Sequence, residues 1–171
     1  MARILVAYAT KHGSTAGVAE AVARELDGAG FEAVAAAFGT VNSLEGYDGA
    51  VLGAPIYVGR PLDLAAFVAQ HREELARIPV AAFATGLTPA APKPKPEQVE
   101  QARKALIDAL APIRPIAATL FAGALHPATM GFGERAVTRL LRAPSGDFRD
   151  WTAIAGWART LVPLFRGGSV H

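Results

Sequence analysis

Apolar residues follow two rhythms along this chain. Runs that are apolar without alternation occupy Arg3–Tyr8, Phe31–Ala37, Ala50–Ala54, Pro79–Ala84 and Pro115–Phe121. Each has strand length, and unbroken apolar character is what a strand covered on both faces requires. Between the runs, apolar positions recur every three or four residues. Ser14–Asp27 sets Val18, Val22 and Leu26 on one stripe, Leu62–Ala76 sets Leu64, Phe67, Val68 and Leu75, and Glu97–Ala111 sets Val99, Ala102, Leu106 and Leu110. A last segment, Phe148–Val162, aligns Trp151, Ile154, Ala155, Ala158 and Leu161 behind an Asp147/Asp150 pair that resembles a capping box. Only the stretch from Phe38 to Tyr47 is too short and polar for a long helix.

Strand and helix alternating throughout predict an α/β fold, a doubly wound parallel sheet with helices on both faces. The length, 171 residues, suits one domain spanning 1–171, because a chain of this size buries roughly 70% of its unfolded surface in a single core. The Pro- and Lys-rich stretch 88–98 reads as a surface loop before a helix, and no internal repeat is present.

Composition removes several chemistries. With no cysteine there is no disulfide, thiolate zinc site or cysteine nucleophile. No apolar stretch approaches the roughly 18 residues of a membrane span, so the chain reads as soluble and cytoplasmic. The net charge is only +2, but residues 1–92 carry six basic and nine acidic side chains, against eleven and six in 93–171. No nucleic-acid motif accompanies that basic part, and a solvated surface accounts for it without a nucleic-acid partner.

Two matches to the dinucleotide fingerprint stand in the wrong context. Gly28, Gly30 and Ala33 fall between a helix and the next strand, and Gly131, Gly133 and Ala136 start about ten residues beyond theirs. Thr10-Lys11-His12-Gly13-Ser14-Thr15 is better placed, between the first strand and the first helix. A helix N-terminus there offers unpaired amides and a positive dipole end, Gly13 lets the backbone close on an anion, and Thr10, Ser14 and Thr15 bring hydroxyls. The stretch is a phosphate cradle, or simply a turn followed by a Ser14 helix cap.

That hexapeptide fits the flavodoxin phosphate loop, [ST]-x-x-G-x-T, and the resemblance covers nearly the whole chain. "YDGAVLGAPIYVGR" is similar to the third strand and flavin loop of the menaquinone-dependent protoporphyrinogen oxidase branch of flavodoxin-like proteins. "AFVAQHREELARIPVAAFATGL" is similar to that branch's next helix and strand, and "AGALHPATMGFGERAVTRLLRAPSGDFRDWTAIAGWA" to its C-terminal region. The resemblance implies a five-stranded sheet in the order 2-1-3-4-5 with FMN at its carboxyl edge. It implies the phosphate on Thr10, Lys11, His12, Gly13, Ser14 and Thr15. The isoalloxazine would lie between Pro55, Ile56, Tyr57, Val58 and Gly59 on one side and Thr85, Gly86 and Leu87 on the other. Tyr57 would pack on the ring, while Val58 stands where the oxidase branch has an aromatic.

A flavin carries its own redox chemistry, so no acid or base is demanded of the protein. Arg60 and His126 are the candidate substrate contacts, and His71 reads as structural. In residues 134–142, Arg135, Arg139 and Arg142 share one helical face and Val137, Leu140 and Leu141 another, which fits either a surface helix or one resting on an anionic bilayer. Three functions follow: an FMN oxidoreductase passing electrons from a tetrapyrrole or similar donor to a quinone, an electron-shuttle flavodoxin, or a binding module for another phosphorylated ligand. The first is favoured, since shuttles of this fold are strongly acidic and this chain is not.

Overall fold

In a computed structural model, residues 1–11, 13–86, 95–122, 124–125, 146–147 and 149–167 are described. Five parallel strands form the sheet: β1 (Arg3–Tyr8), β2 (Glu32–Ala37), β3 (Gly49–Tyr57), β5 (Val80–Gly86) and β6 (Ala117–Ala122). Their spatial order is β2-β1-β3-β5-β6, the expected 2-1-3-4-5 arrangement counted over parallel strands. A two-residue strand, β4 (Arg60–Pro61), turns back antiparallel on the end of β3. A separate short ladder pairs β7 (Ala124–Leu125) with β8 (Gly146–Asp147).

The helices are α1 (Ser14–Gly28), α2 (Leu64–Gln70), α3 (Arg72–Leu75), α4 (Pro96–Leu110) and α5 (Trp151–Gly167). Alternate residues of the central strands feed two cores. Ile4, Val6, Val51, Ala81 and Phe83 face α1 and α5, meeting Val18, Val22, Leu26, Ile154, Ala158 and Leu161. Leu5, Ala7, Leu52, Ala82 and Ala84 face the other way, toward Leu64, Phe67, Val68, Leu106 and Leu110 of α2 and α4. Both faces being covered explains why these strands are apolar at every position. At Gly53 the absence of a side chain is structural: directly opposite Phe83 in the ladder, a Cβ there would run into the buried Phe83 ring.

Several boundaries differ from expectation, each for a local reason. The helix expected over Leu62–Ala76 is interrupted at His71, whose backbone (φ −112°, ψ 21°) separates α2 from α3. The third strand runs on past Ala54 to Tyr57, because its last residues pair with β4. The last helix begins at Trp151 and not at Phe148, and Asp150 caps it, its carboxylate accepting from the Ala153 amide at 3.0 Å. Helix α5 continues through Pro163 instead of stopping at Val162, held by Phe165 packed edge-on against Phe31. Trp151, expected on the buried stripe, is 45% exposed. Phe38–Thr40 forms one 3-10 turn, in keeping with a segment too short for a long helix.

Candidate functional site

The carboxyl edge of β1, β3 and β5 brings the candidate residues together. Beyond Tyr8, the Ala9 amide still donates to the Gly53 carbonyl at 3.0 Å, so the loop to α1 leaves the sheet alongside β3. The Thr10 hydroxyl oxygen accepts from the Gly13 amide at 2.9 Å and closes the turn. Gly13 has φ +86°, a left-handed conformation that suits glycine, and among the described residues nothing lies within 4 Å of where its Cβ would stand. Ser14 is the first helical residue; the cap position is Gly13, with no side-chain cap bond, so the simple Ser14 cap is not the local structure. The first-turn amides of α1, which lack intrahelical acceptors, and the positive end of the helix dipole therefore follow directly on this turn.

Thr15 does not face solvent. It is fully buried, and its hydroxyl shares a 2.9 Å hydrogen bond with the equally buried hydroxyl of Thr85 at the end of β5. Only one of the two protons lies between these oxygens, so the pair ties α1 to β5 and keeps one donor for another acceptor. Gly86 follows, and a Cβ on it would stand 3.4 Å from that of Ile56, which keeps the ends of β3 and β5 close.

The end of β3 is a hairpin. Tyr57 pairs with Arg60, and the two residues between them, Val58 (φ 49°) and Gly59 (φ 75°), both take left-handed conformations, the pattern of a tight type I′ turn. Glycine adopts this freely, but a β-branched residue does so only under strain. Val58 is nonetheless 85% exposed at the hairpin tip, and Tyr57 beside it is 39% exposed. Pro55 pairs with Thr85 across the ladder and accepts from the Leu62 amide at 2.9 Å; Arg60 is exposed. The two loops meet through Lys11, whose Nζ lies 3.7 Å from the centroid of the Tyr57 ring. A contact of this kind contributes about 0.5–1 kcal/mol at an exposed site.

His12, Leu87, His126 and the segment 134–142 lie outside the described residues. Arg149 is a neighbour that pattern reading does not single out. Its Nη1 donates to the Ser14 carbonyl at 3.4 Å, its guanidinium lies 4.7 Å from the Trp151 ring centroid, and a Cβ at Gly17 would stand 2.8 Å from Nη1. The only signal in the sequence is an Arg two residues ahead of a Trp at a helix start. His71 sits away from this edge, buried against Phe67 with Nδ1 3.3 Å from Glu74, which is consistent with a structural part.

A family model, described as a flavodoxin domain, matches residues 5–152. The chain belongs to the flavodoxin-domain family. Membership brings FMN as the cofactor and a flavin-type redox role with a redox partner. The chain is also 27% identical, over 95% of its length and 96% of the relative's, to protoporphyrinogen IX dehydrogenase [quinone] of Escherichia coli strain K12. Two solved structures share the fold: a flavodoxin from the domain Archaea (TM-score 0.56, 13% identity) and a short-chain flavodoxin associated with a non-canonical PDU bacterial microcompartment (TM-score 0.57, 15% identity). Each likeness covers 96% of this chain and 99% of the other. The residues present fit the flavin: a left-handed glycine with open space above it, helix amides behind it, and a half-exposed aromatic ring on the neighbouring loop. Among the described residues, no helix of this flavodoxin-family chain is long and apolar enough to cross a membrane.

Proposed function

We propose that this chain is an FMN-dependent oxidoreductase that takes reducing equivalents from a tetrapyrrole-type donor and passes them to a quinone. The observation that carries the reading is the end-to-end likeness to the quinone-dependent E. coli dehydrogenase. The solved flavodoxins, at 13% and 15% identity, support the fold alone. Charge favours the same side, since a shuttle that docks basic partners is acidic and this chain has net charge +2.

In this reading Thr10, Lys11, His12, Gly13, Ser14 and Thr15 hold the FMN phosphate, and Pro55–Gly59 with Thr85, Gly86 and Leu87 hold the ring, Tyr57 packing on it. When bound, the flavin supplies the redox chemistry by taking up and giving back an electron pair. The protein's part is placement. The Thr15–Thr85 bond fixes the distance between the phosphate end and the ring end of the site. Val58 and Tyr57 present apolar surface at the rim, while exposed Arg60, with His126, is suited to a donor's carboxylates. The basic stretch 134–142 is the segment that would meet an anionic membrane surface, where quinones reside.

The test begins with added FMN and identification of what stays bound, followed by anaerobic mixing with protoporphyrinogen and then with menadione. Bleaching by the first and recovery with the second are expected. A flavin inert to the tetrapyrrole but exchanging electrons with redox proteins would move the chain to the shuttle class, and a protein that retains no FMN would leave a binder of some other phosphorylated ligand. Gly13→Val should lose FMN binding at least tenfold with an unchanged circular dichroism spectrum, because φ +86° is closed to valine and the position is otherwise unpacked. Normal FMN affinity in that variant would refute this placement of the cradle.

A further inference from the structure

Thr15 and Thr85 stand 70 residues apart in the chain, and both are buried where α1 meets the end of β5. Their oxygens are 2.9 Å apart, and among the described residues neither hydroxyl makes another hydrogen bond. Two hydroxyls bring two protons, and the bond between them uses one. The second is a buried donor without an acceptor, which costs stability unless a ligand supplies one. We infer that Thr85 is a positioning residue for the cofactor phosphate: its hydroxyl donates to Thr15 and so turns the Thr15 proton toward a phosphate monoester at the first turn of α1. The inference rests on the FMN reading above and deepens it, by giving a side chain at the end of β5 a part in choosing the phosphorylated form of the ligand.

Which oxygen keeps the spare proton decides which end of the site it serves. Thr15 is the second residue of α1, two positions after the left-handed Gly13, where amides without intrahelical acceptors and the helix dipole already favour an anion. Phosphate oxygens are charged and only accept, so a donor aimed at them makes a stronger bond than one aimed at a neutral carbonyl. Thr85 instead lies inside the ladder, opposite Pro55 of β3 and Phe121 of β6. Its main chain belongs to the ring end of the site, while its side chain is committed to Thr15. With Thr85 as donor, the Thr15 oxygen accepts, and its own proton is left to point away from β5. Two O–H groups donating in the same sense also polarise one another, which strengthens the second bond. Without the Thr85 hydroxyl, the Thr15 hydroxyl becomes a free rotor.

The experiment titrates wild type, Thr85→Val and Thr85→Ser with FMN and with riboflavin, which keeps the ring and the ribityl chain but lacks the phosphate. Flavin fluorescence reads the binding. Thr85→Val, close to threonine in shape, should weaken FMN about fivefold and leave riboflavin within about twofold of wild type. Thr85→Ser, which keeps the hydroxyl, should restore most of the FMN affinity. Thr15→Val should weaken FMN at least as much, and adding Thr85→Val to it should cost nothing further, because Thr85 acts only through Thr15. Should the valine variant not fold, Thr85→Ala serves in the same comparison. An equal loss for both flavins would show Thr85 to shape the ring end and overturn the inference, as would an unchanged FMN affinity or a failure of serine to rescue. A wild-type protein that binds neither flavin would instead sink the functional reading itself, and the inference with it.

Discussion

Val58 is a residue whose conformation works against its chemistry. A β-branched side chain in the left-handed region costs about 1–2 kcal/mol, and the Val58–Gly59 turn is of the kind for which Asn-Gly is the favoured pair. Val58→Asn should therefore raise the stability of the FMN-free protein by about 1 kcal/mol, a rise in melting temperature of about 2–4 °C at this chain length. A lower melting temperature would mean that the turn is not strained. Such strain tends to survive where function needs the side chain, and an 85% exposed valine at the rim of the candidate site fits that rule. None of this is legible beforehand, since valine after an apolar strand reads as more strand. The Lys11–Tyr57 contact is equally silent in the sequence, because it joins residues far apart in the chain. By contrast, the turn at Gly13 could be read directly, as glycine is the residue that a left-handed position between strand and helix calls for.

At the scale of elements, the break between α2 and α3 carries a polar cluster to the loop that leads into β3. One Glu74 carboxylate oxygen accepts from the Ser43 hydroxyl at 2.9 Å and the Leu44 amide at 2.7 Å, and the other lies 3.3 Å from His71 Nδ1. Desolvation pushes the Glu74 carboxyl up, but these three hydrogen bonds and the electrostatic attraction of His71 outweigh it and hold the pKa below the ordinary carboxylate value. A group depressed in the folded state adds stability above its unfolded pKa and loses it as the pH falls through the folded one. Urea unfolding should accordingly show stability dropping as pH falls below about 4.3, and Glu74→Gln should flatten that fall. An identical pH profile in the variant would remove Glu74 from the account. Helical periodicity gave no warning of the break, because the stripe Leu64, Phe67, Val68, Leu75 remains buried across it. The end of β3 is hidden from the sequence for a related reason: the strand is extended by pairing with β4, a partner that no local pattern announces.

For the whole molecule, the doubly wound parallel class was legible because the strands are largely apolar on both faces and the crossovers contain a helix or a short polar connection, whereas the strand order came only with the flavodoxin resemblance. Much of the C-terminal region was less so: the candidates His126 and 134–142 fall outside the described residues, and the role of α5 emerges only in packing. That helix covers the sheet face shared with α1 through Ile154, Ala158, Leu161 and Phe165, and clasps α1 through Arg159 to Glu25 at 3.1 Å and Arg166 to the Ala29 carbonyl. Removing residues 151–171 should bare that face, abolish cooperative unfolding and cause strong binding of a hydrophobic dye. A truncated chain that still melted sharply would show that α1 alone suffices to close the core.

Gly53 and Phe83 form a single packing unit across β3 and β5, a flat position and the ring laid over it. Drift at these two sites is therefore coupled: a side chain can be gained at 53 only in a lineage that has already traded the Phe83 ring for something smaller. Among diverging copies of this chain, the two columns would change together or stay together.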